Sequence, residues 1–176
     1  TAAERCIAAV AEGTGTRPKA TPDLRKVLED KSLDALIVSS PDHWHAPAAL
    51  MALKADKHVY LEKPCSHSPA EGEILLQALK KYKKVIQVGN QRRSWPKVAE
   101  GIEALKSGVI GKPYFGKSWY TNNREPIGIG KEAPVPEWLN WELWQGPAPR
   151  KAFKDNYVHY NWHWFWHWGT GEALNN

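Results

Sequence analysis

Cysteine is scarce in this 176-residue chain, which contains only Cys6 and Cys65, and methionine occurs once. Two cysteines are too few for a disulfide framework in a chain of this length. Long apolar runs are also missing, and no stretch of about 18 apolar residues occurs, so the sequence predicts no transmembrane helix. The first residues are charged and typical of a helix, which argues against a signal peptide. We therefore expect no membrane partner.

A strong charge imbalance is missing as well. The chain has 24 Lys and Arg residues against 19 Asp and Glu residues, for a formal net charge of +5. The basic residues are spread as on solvated helix faces, and no basic repeat or nucleic-acid motif occurs. The sequence predicts no nucleic-acid partner.

The most informative stretch lies between residues 34 and 64. Residues 36–38 form a short apolar run typical of a buried parallel strand, residues 46–54 are good helix formers, and residues 58–61 read as a second strand. Strand, helix and strand within about 30 residues predict a βαβ unit. Its second strand delivers Glu62, Lys63 and Pro64 to the carboxyl edge of the sheet, where open α/β sheets bind ligands.

Further elements follow from helix signals and apolar periodicity. Thr21 and Pro22 are expected as the N-cap and first residue of a helix, and Ser68 with Glu71 forms the pattern of a capping box. The sequence predicts further helices over residues 1–11, 21–30, 68–81 and 96–106, and further strands over residues 85–88 and 114–120.

The last 50 residues are rich in tryptophan, proline and glycine. His159, His163 and His167 are four residues apart, as metal ligands on a helix would be, but the tryptophans alternate with period two, which favours an extended segment. No carboxylate or cysteine completes a ligand set nearby, so no metal site is predicted. The aromatic side chains could stack on a sugar or fill a core.

At the residues Ser39-Ser40-Pro41, His45 and Glu62-Lys63-Pro64, the sequence resembles the Gfo/Idh/MocA oxidoreductases, the group of glucose-fructose oxidoreductase and inositol dehydrogenase. The resemblance implies a Rossmann-like doubly wound parallel sheet, incomplete here, followed by the start of an α/β domain with an open sheet. The implied domains are residues 1–112, for the dinucleotide, and residues 113–176, for substrate and oligomerisation. The Gly13-Thr14-Gly15 stretch follows a helix and is a poor dinucleotide fingerprint, so we expect a fragment that lacks the first βα unit.

The resemblance also implies a site. Lys63 would be catalytic beside the nicotinamide of NAD or NADP and would exchange a proton with the substrate hydroxyl. The implied cofactor-binding residues are Ser39, Ser40, Pro41, His45, Glu62 and Gln91, and the implied substrate residues are Arg92, Trp166 and Asn175. From the residues alone, Lys63 could be a solvated lysine, residues 39–41 a simple turn, and His45 a helix-capping or core histidine.

The implied function is hydride transfer from a hydroxyl of a sugar, cyclitol or derivative to NAD(P). An NAD-dependent glycosidase of the same family and a noncatalytic sugar-binding or interaction fragment are the alternatives. Residues 169–176 resemble the family segment in which glycines lead to an Asp of the proton relay, and by this resemblance Asn175 occupies the Asp position. Asparagine cannot act as a carboxylate base. The 176-residue chain alone is expected to be inactive, and the full-length protein to be a dimer or tetramer. A cytoplasmic location is expected, with export to the periplasm on a twin-arginine signal as the alternative.

Overall fold

A computed structural model describes residues 2–121 and 124–171 of the chain. The helices are α1 (Ala2–Thr14), α2 (Leu24–Glu29), α3 (Asp42–Lys54), α4 (Pro69–Tyr82), α5 (Pro96–Lys106) and α6 (Trp141–Gln145), with a short 3₁₀ helix over Asn161–Trp164, and the strands are β1 (Ala35–Val38), β2 (His58–Glu62) and β3 (Ile86–Gly89). The predicted βαβ unit is confirmed as β1, α3 and β2.

The three strands form one parallel sheet in the order β1-β2-β3. Val38 lies opposite Leu61, and Leu61 lies opposite Val88, so the strands are in step at their carboxyl ends. Helices connect successive strands, as parallel pairing requires. The predicted Rossmann-like arrangement, incomplete here, is thereby confirmed.

Apolar packing covers one face of the sheet, on which α3 and α4 lie. Alanines on α3 allow its backbone to approach the strands closely, and Leu53 and Leu61 are fully buried between them. The residues of this first core are Val38, Ala46, Ala48, Ala49, Ala52, Leu53, Val59, Leu61, Leu75 and Ala78. Burying a leucine side chain contributes about 1.5–3 kcal/mol, so this face supplies much of the stability of the unit. On the opposite face Ile37 and Tyr60 are 72% and 40% exposed.

Two helices begin at residues other than those predicted. The N-cap of α2 is Asp23 rather than Thr21, because the Asp23 carboxylate accepts a hydrogen bond from the Arg25 backbone N–H. Helix α3 begins at Asp42, four residues earlier than predicted, and therefore includes His43 and His45. The capping box of α4 is confirmed in part. Ser68 Oγ accepts from the Glu71 N–H at 3.3 Å, but the Glu71 carboxylate accepts from the N–H of His67, one residue before the N-cap.

Aromatic side chains form a second core in the tryptophan-rich part of the chain. Its buried residues are Trp141, Ala148, Phe153, Tyr157 and Trp168. Trp141 meets Trp144 in a stacked arrangement and Trp168 edge-on, with ring centroids 4.9 and 5.5 Å apart. Edge-on and offset pairs are the arrangements that aromatic rings favour. Core filling therefore accounts for Trp168, one of the tryptophans considered as sugar-stacking residues.

Two predicted extended segments are wrong. Residues 114–120 form no strand, because no other described strand lies beside them, and Tyr114 is 97% exposed. The tryptophan segment folds as the 3₁₀ helix and turns instead of running extended, which lets Trp168 turn into the aromatic core. Among the described residues no helix has both the length and the apolar character needed to cross a membrane.

The two cores meet where the Trp44 indole of α3 lies on α6. Trp44 Nε1 donates to the carbonyl oxygens of Leu143 and Trp144, at 3.2 and 3.0 Å. Gly146, which ends α6 with φ of 52°, makes this contact possible, because a Cβ there would lie 2.3–2.6 Å from three indole atoms.

We predict that Gly146→Ala lowers the free energy of unfolding by about 2–4 kcal/mol, from overpacking against the indole and backbone strain at positive φ. Gly101→Ala is the control. Gly101 lies within α5 with open space around the position of its missing Cβ, so this variant should be neutral or gain up to about 1 kcal/mol. Urea unfolding of both variants measures the difference. Equal effects would contradict the packing described.

Candidate functional site at the carboxyl edge of the sheet

The carboxyl edge of the sheet gathers three turns that carry predicted site residues. Residues 39–41 follow β1, residues 63–64 follow β2, and residues 90–92 follow β3. Because the strands are parallel and in register, these turns emerge side by side. Ligands of open α/β sheets bind at this edge.

His45 joins two of these turns. It is only 2% exposed, its Nε2 lies 2.7 Å from the carbonyl oxygen of Ser40, and its Nδ1 lies 2.5 Å from that of Pro64. Carbonyl oxygens only accept hydrogen bonds, so a ring N–H of His45 is the donor in either contact, and the tautomer decides which nitrogen donates. The geometry favours the interpretation of His45 as a core histidine that ties the end of β1 to the end of β2.

Glu62 and Lys63 lie at the end of β2 and are half-buried. Glu62 Oε2 accepts from the Lys63 backbone N–H at 3.3 Å, and the Lys63–Pro64 peptide bond is cis. Gly89 lies opposite Glu62 on β3, and the Glu62 carboxylate occupies the space that a side chain at position 89 would fill. A Cβ at Gly89 would lie 2.9 Å from Glu62 Oε1 and 2.7 Å from the hydroxyl oxygen of Tyr60.

The remaining predicted residues differ in their surroundings. Gln91 and Arg92 are exposed in the turn that follows β3, and Arg92 has a positive φ of 66°. Trp166 is 78% exposed, beyond the aromatic core. Asn175 lies outside the described residues. Direct contacts thus join His45 to Ser40 and Glu62 to Lys63.

The structure adds four residues to the site region for which the sequence predicted no role: Asp42, His43, His67 and Thr170. The segment 168–171, which we call the covering segment, is held by Asp42 and His43 at the start of α3 and by His67 after β2. Asp42 Oδ2 accepts from Thr170 Oγ1 and the Thr170 N–H at 2.9 and 3.2 Å, and the His43 N–H donates to the Trp168 carbonyl at 3.1 Å. His67, which follows β2, places Nε2 3.2 Å from the Gly169 carbonyl oxygen. The sequence carries no signal for pairs that lie more than 100 residues apart.

The ring of His43 is buried between backbone carbonyls. Its Nε2 lies 2.8 Å from the Trp144 oxygen and its Nδ1 lies 3.3 Å from the Trp168 oxygen. Burial lowers the pKa of His43, and nearby His67 lowers it further, whereas both carbonyl contacts and Asp42 act to raise it. The ring is therefore held neutral over a wider pH range than a free histidine.

The spaced histidines of the aromatic part serve local packing. His163 is buried with its Nδ1 2.5 Å from the Tyr160 carbonyl oxygen, and His159 stacks on Trp138 with ring centroids 5.0 Å apart. Within residues 2–121 and 124–171, no group of three or more His, Cys, Asp or Glu side chains is placed to hold a metal ion.

Comparison with known proteins decides the family. The model of the Gfo/Idh/MocA proteins, described as an oxidoreductase family with an NAD-binding Rossmann fold, matches residues 2–90. The chain belongs to the Gfo/Idh/MocA oxidoreductase family.

Proteins similar to this chain include enzymes and solved structures. The chain is 33% identical over 107 residues to inositol 2-dehydrogenase of Rubrobacter xylanophilus, a match that covers 60% of this chain and 31% of the relative. A probable dehydrogenase of Thermotoga maritima matches with 32% identity and a TM-score of 0.53, over 63% of this chain and 33% of that one. A 3-ketoreductase of Actinomadura kijaniata, solved with NADP and TDP-benzene, matches with 27% identity and a TM-score of 0.53, over 60% and 33%. The chain thus spans about a third of these relatives' length.

The described residues of this Gfo/Idh/MocA chain suit part of a nicotinamide dinucleotide site. The turn after β1 consists of small residues, and the Ser40 Oγ is buried without a hydrogen-bond partner among the described residues. The Gly13-Thr14-Gly15 stretch ends α1, so it does not join a strand to a helix as a phosphate-binding turn does.

We predict that acidification below pH about 6.5 lowers the free energy of unfolding through His43. The unfolded chain binds a proton near the ordinary histidine pKa of 6.5, whereas the folded protein, whose His43 pKa is lowered, does not. The slope contributed by one such group reaches at most about 1.4 kcal/mol per pH unit and falls to near zero by about pH 8.

The measurement is urea unfolding at pH values from 5 to 8. His43→Gln should flatten the slope. His167→Gln is measured beside it, because burial also lowers the pKa of the partly buried His167, and this variant gives the part of the slope that His167 contributes. An unchanged slope in His43→Gln would contradict the account.

Proposed function

We propose that the whole protein is an NAD(P)-dependent oxidoreductase that acts on a hydroxyl group of a sugar, a cyclitol or a derivative. The observation that carries the proposal is the register of the parallel sheet, in which Val38, Leu61 and Val88 lie side by side. This register brings the turns after three strands to one edge in a member of an NAD-binding oxidoreductase family.

Each turn has a role in the proposal. The bound nicotinamide supplies the hydride acceptor or donor. Lys63 exchanges the proton of the reacting hydroxyl, and Glu62, held beside the Lys63 backbone, contacts the cofactor ribose or maintains the geometry. The small residues 39–41 line the cofactor without obstructing it. His45 supports this turn and that of Lys63 through its two carbonyl contacts.

The residues proposed to bind the substrate are chosen for their exposure, and the substrate class is proposed from the similar proteins. Arg92 and Trp166 present polar and aromatic groups to solvent, which suits the hydroxyl and apolar faces of a cyclic polyol. The similarity to an inositol 2-dehydrogenase makes a cyclitol the first substrate class to test. The similarity to a ketoreductase solved with NADP means that both dinucleotides are to be tested.

We predict that Lys63→Ala in the whole protein lowers kcat for oxidation of the substrate by about 10²–10⁴-fold, the usual contribution of a positioned proton-transfer group. Affinity for the dinucleotide should change by only a few-fold. The assay follows NADH or NADPH absorbance with myo-inositol, scyllo-inositol and glucose as probes. Lys54→Ala is the control, because Lys54 is exposed at the far end of α3.

Equal activity in wild type and Lys63→Ala would exclude the catalytic role of Lys63. Native mass spectrometry of the whole protein separates the alternatives. A retained dinucleotide without net reduction during turnover would indicate the glycosidase, and a protein that binds neither NAD nor NADP would indicate a noncatalytic sugar-binding module.

A further inference from the structure

We propose that Asp42 is a positioning residue which, through Thr170, fixes the covering segment over the carboxyl edge and thereby sets the substrate side of the site. This inference rests on the proposed function for its catalytic consequence. The structural part stands on contacts between described residues alone.

The covering segment is bound on both sides of the edge. Asp42 and His43 contact it from the first turn of α3, directly after the turn that ends β1. His67 contacts it from the loop that follows Lys63 and Pro64. The segment is therefore tied both to the start of α3, next to the end of β1, and to the loop that follows β2.

The surroundings of the Asp42 carboxylate favour strong hydrogen bonds to Thr170. It is 2% exposed and is the first residue of α3, where the partial positive charge of the helix N-terminus stabilises a carboxylate. One oxygen, Oδ2, accepts from both the hydroxyl and the N–H of Thr170. Bonds to an ionised group are shorter and about twice as strong as neutral ones. A buried carboxylate that holds a residue 128 positions away fixes a tertiary arrangement.

Packing of the aromatic core does not need this contact. The aromatic part is docked on α3 by the bonds of Trp44 and by His43, and its core ends at Trp168. Gly169 approaches the backbone of His163, since a Cβ there would lie 2.3 Å from the His163 Cα. Thr170 lies beyond the core, where the chain leads towards the predicted substrate residue Asn175. The neighbouring Gly169 and Gly171 N–H groups donate to the carbonyl oxygens of Phe165 and His163, each at 2.9 Å, so the segment stays attached to the aromatic part without Asp42. Loss of the Asp42 contact should therefore free Thr170 locally while the core stays packed.

The test compares Asp42→Leu, Asp42→Asn and Thr170→Val in the whole protein. Asp42→Leu removes the acceptor, Asp42→Asn keeps an acceptor oxygen, and Thr170→Val removes the hydroxyl but keeps the N–H. Asp23→Ala is the matched control, because Asp23 caps α2 through a local bond to Arg25. Hydrogen exchange of the amides in residues 168–171, NAD⁺ affinity, and KM and kcat with myo-inositol are measured for each.

We expect Asp42→Leu to speed exchange of the Thr170 amide at least 10-fold and to lower kcat/KM for myo-inositol at least 10-fold, with NAD⁺ affinity within threefold of wild type. Asp42→Asn should bring both the exchange rate of the Thr170 amide and kcat/KM most of the way back to wild type. Thr170→Val should lower kcat/KM by a smaller factor than Asp42→Leu, and the double variant should be no worse than Asp42→Leu alone. Asp23→Ala should change neither exchange at residues 168–171 nor kcat/KM.

Unchanged exchange in Asp42→Leu would overturn the proposal, as would a fall in NAD⁺ affinity that matches the fall in kcat/KM. If wild type oxidises none of the probe polyols, the proposed function fails, whereas exchange at residues 168–171 still decides whether Asp42 positions the covering segment.

Discussion

The bridge made by His45 is the interaction on which the rest of the candidate site depends. One buried imidazole contacts the carbonyl oxygens of Ser40 and Pro64, which belong to the turns that end two adjacent strands. Parallel strands are linked along their length by backbone bonds, but the turns beyond their ends are not. Without the bridge, the carbonyl groups of Ser40 and Pro64 would lose their contacts with the ring, and a carbonyl left without a donor in the interior costs about 1–3 kcal/mol. The bridge also sets where Lys63 leaves the sheet.

The first turn of α3 extends this arrangement outwards. Asp42, His43 and His45 lie within four residues, yet they contact three separate parts of the chain: the covering segment, the end of α6 and the turn after β2. A helix that begins this close to a strand end can distribute its polar side chains in this way because its first backbone N–H groups and side chains point towards the sheet edge. The edge and the aromatic part are thereby built as one unit.

Local signals predicted the parallel sheet well. The apolar runs, the Ser68 cap of α4 and the helix over residues 96–106 depend on neighbouring residues, and the structure contains each of them. The start of α3 and the tethers of the covering segment depend on contacts between residues about 100 to 130 positions apart, which periodicity cannot reveal. Residues 114–120 have the alternation of a strand, but a strand also requires a paired neighbour. The alternating tryptophans likewise predicted an extended segment, but this segment folds into a 3₁₀ helix and turns that bury Trp168 in the aromatic core.

The most direct test of the account is a crystal structure of the whole protein with NAD⁺ bound. The account predicts that the nicotinamide ring lies at the carboxyl edge, beside Lys63 and against the turn of residues 39–41, with His45 still bridging Ser40 and Pro64. A nicotinamide bound away from this edge, or a Lys63 side chain that does not reach the reacting face of the ring, would contradict it.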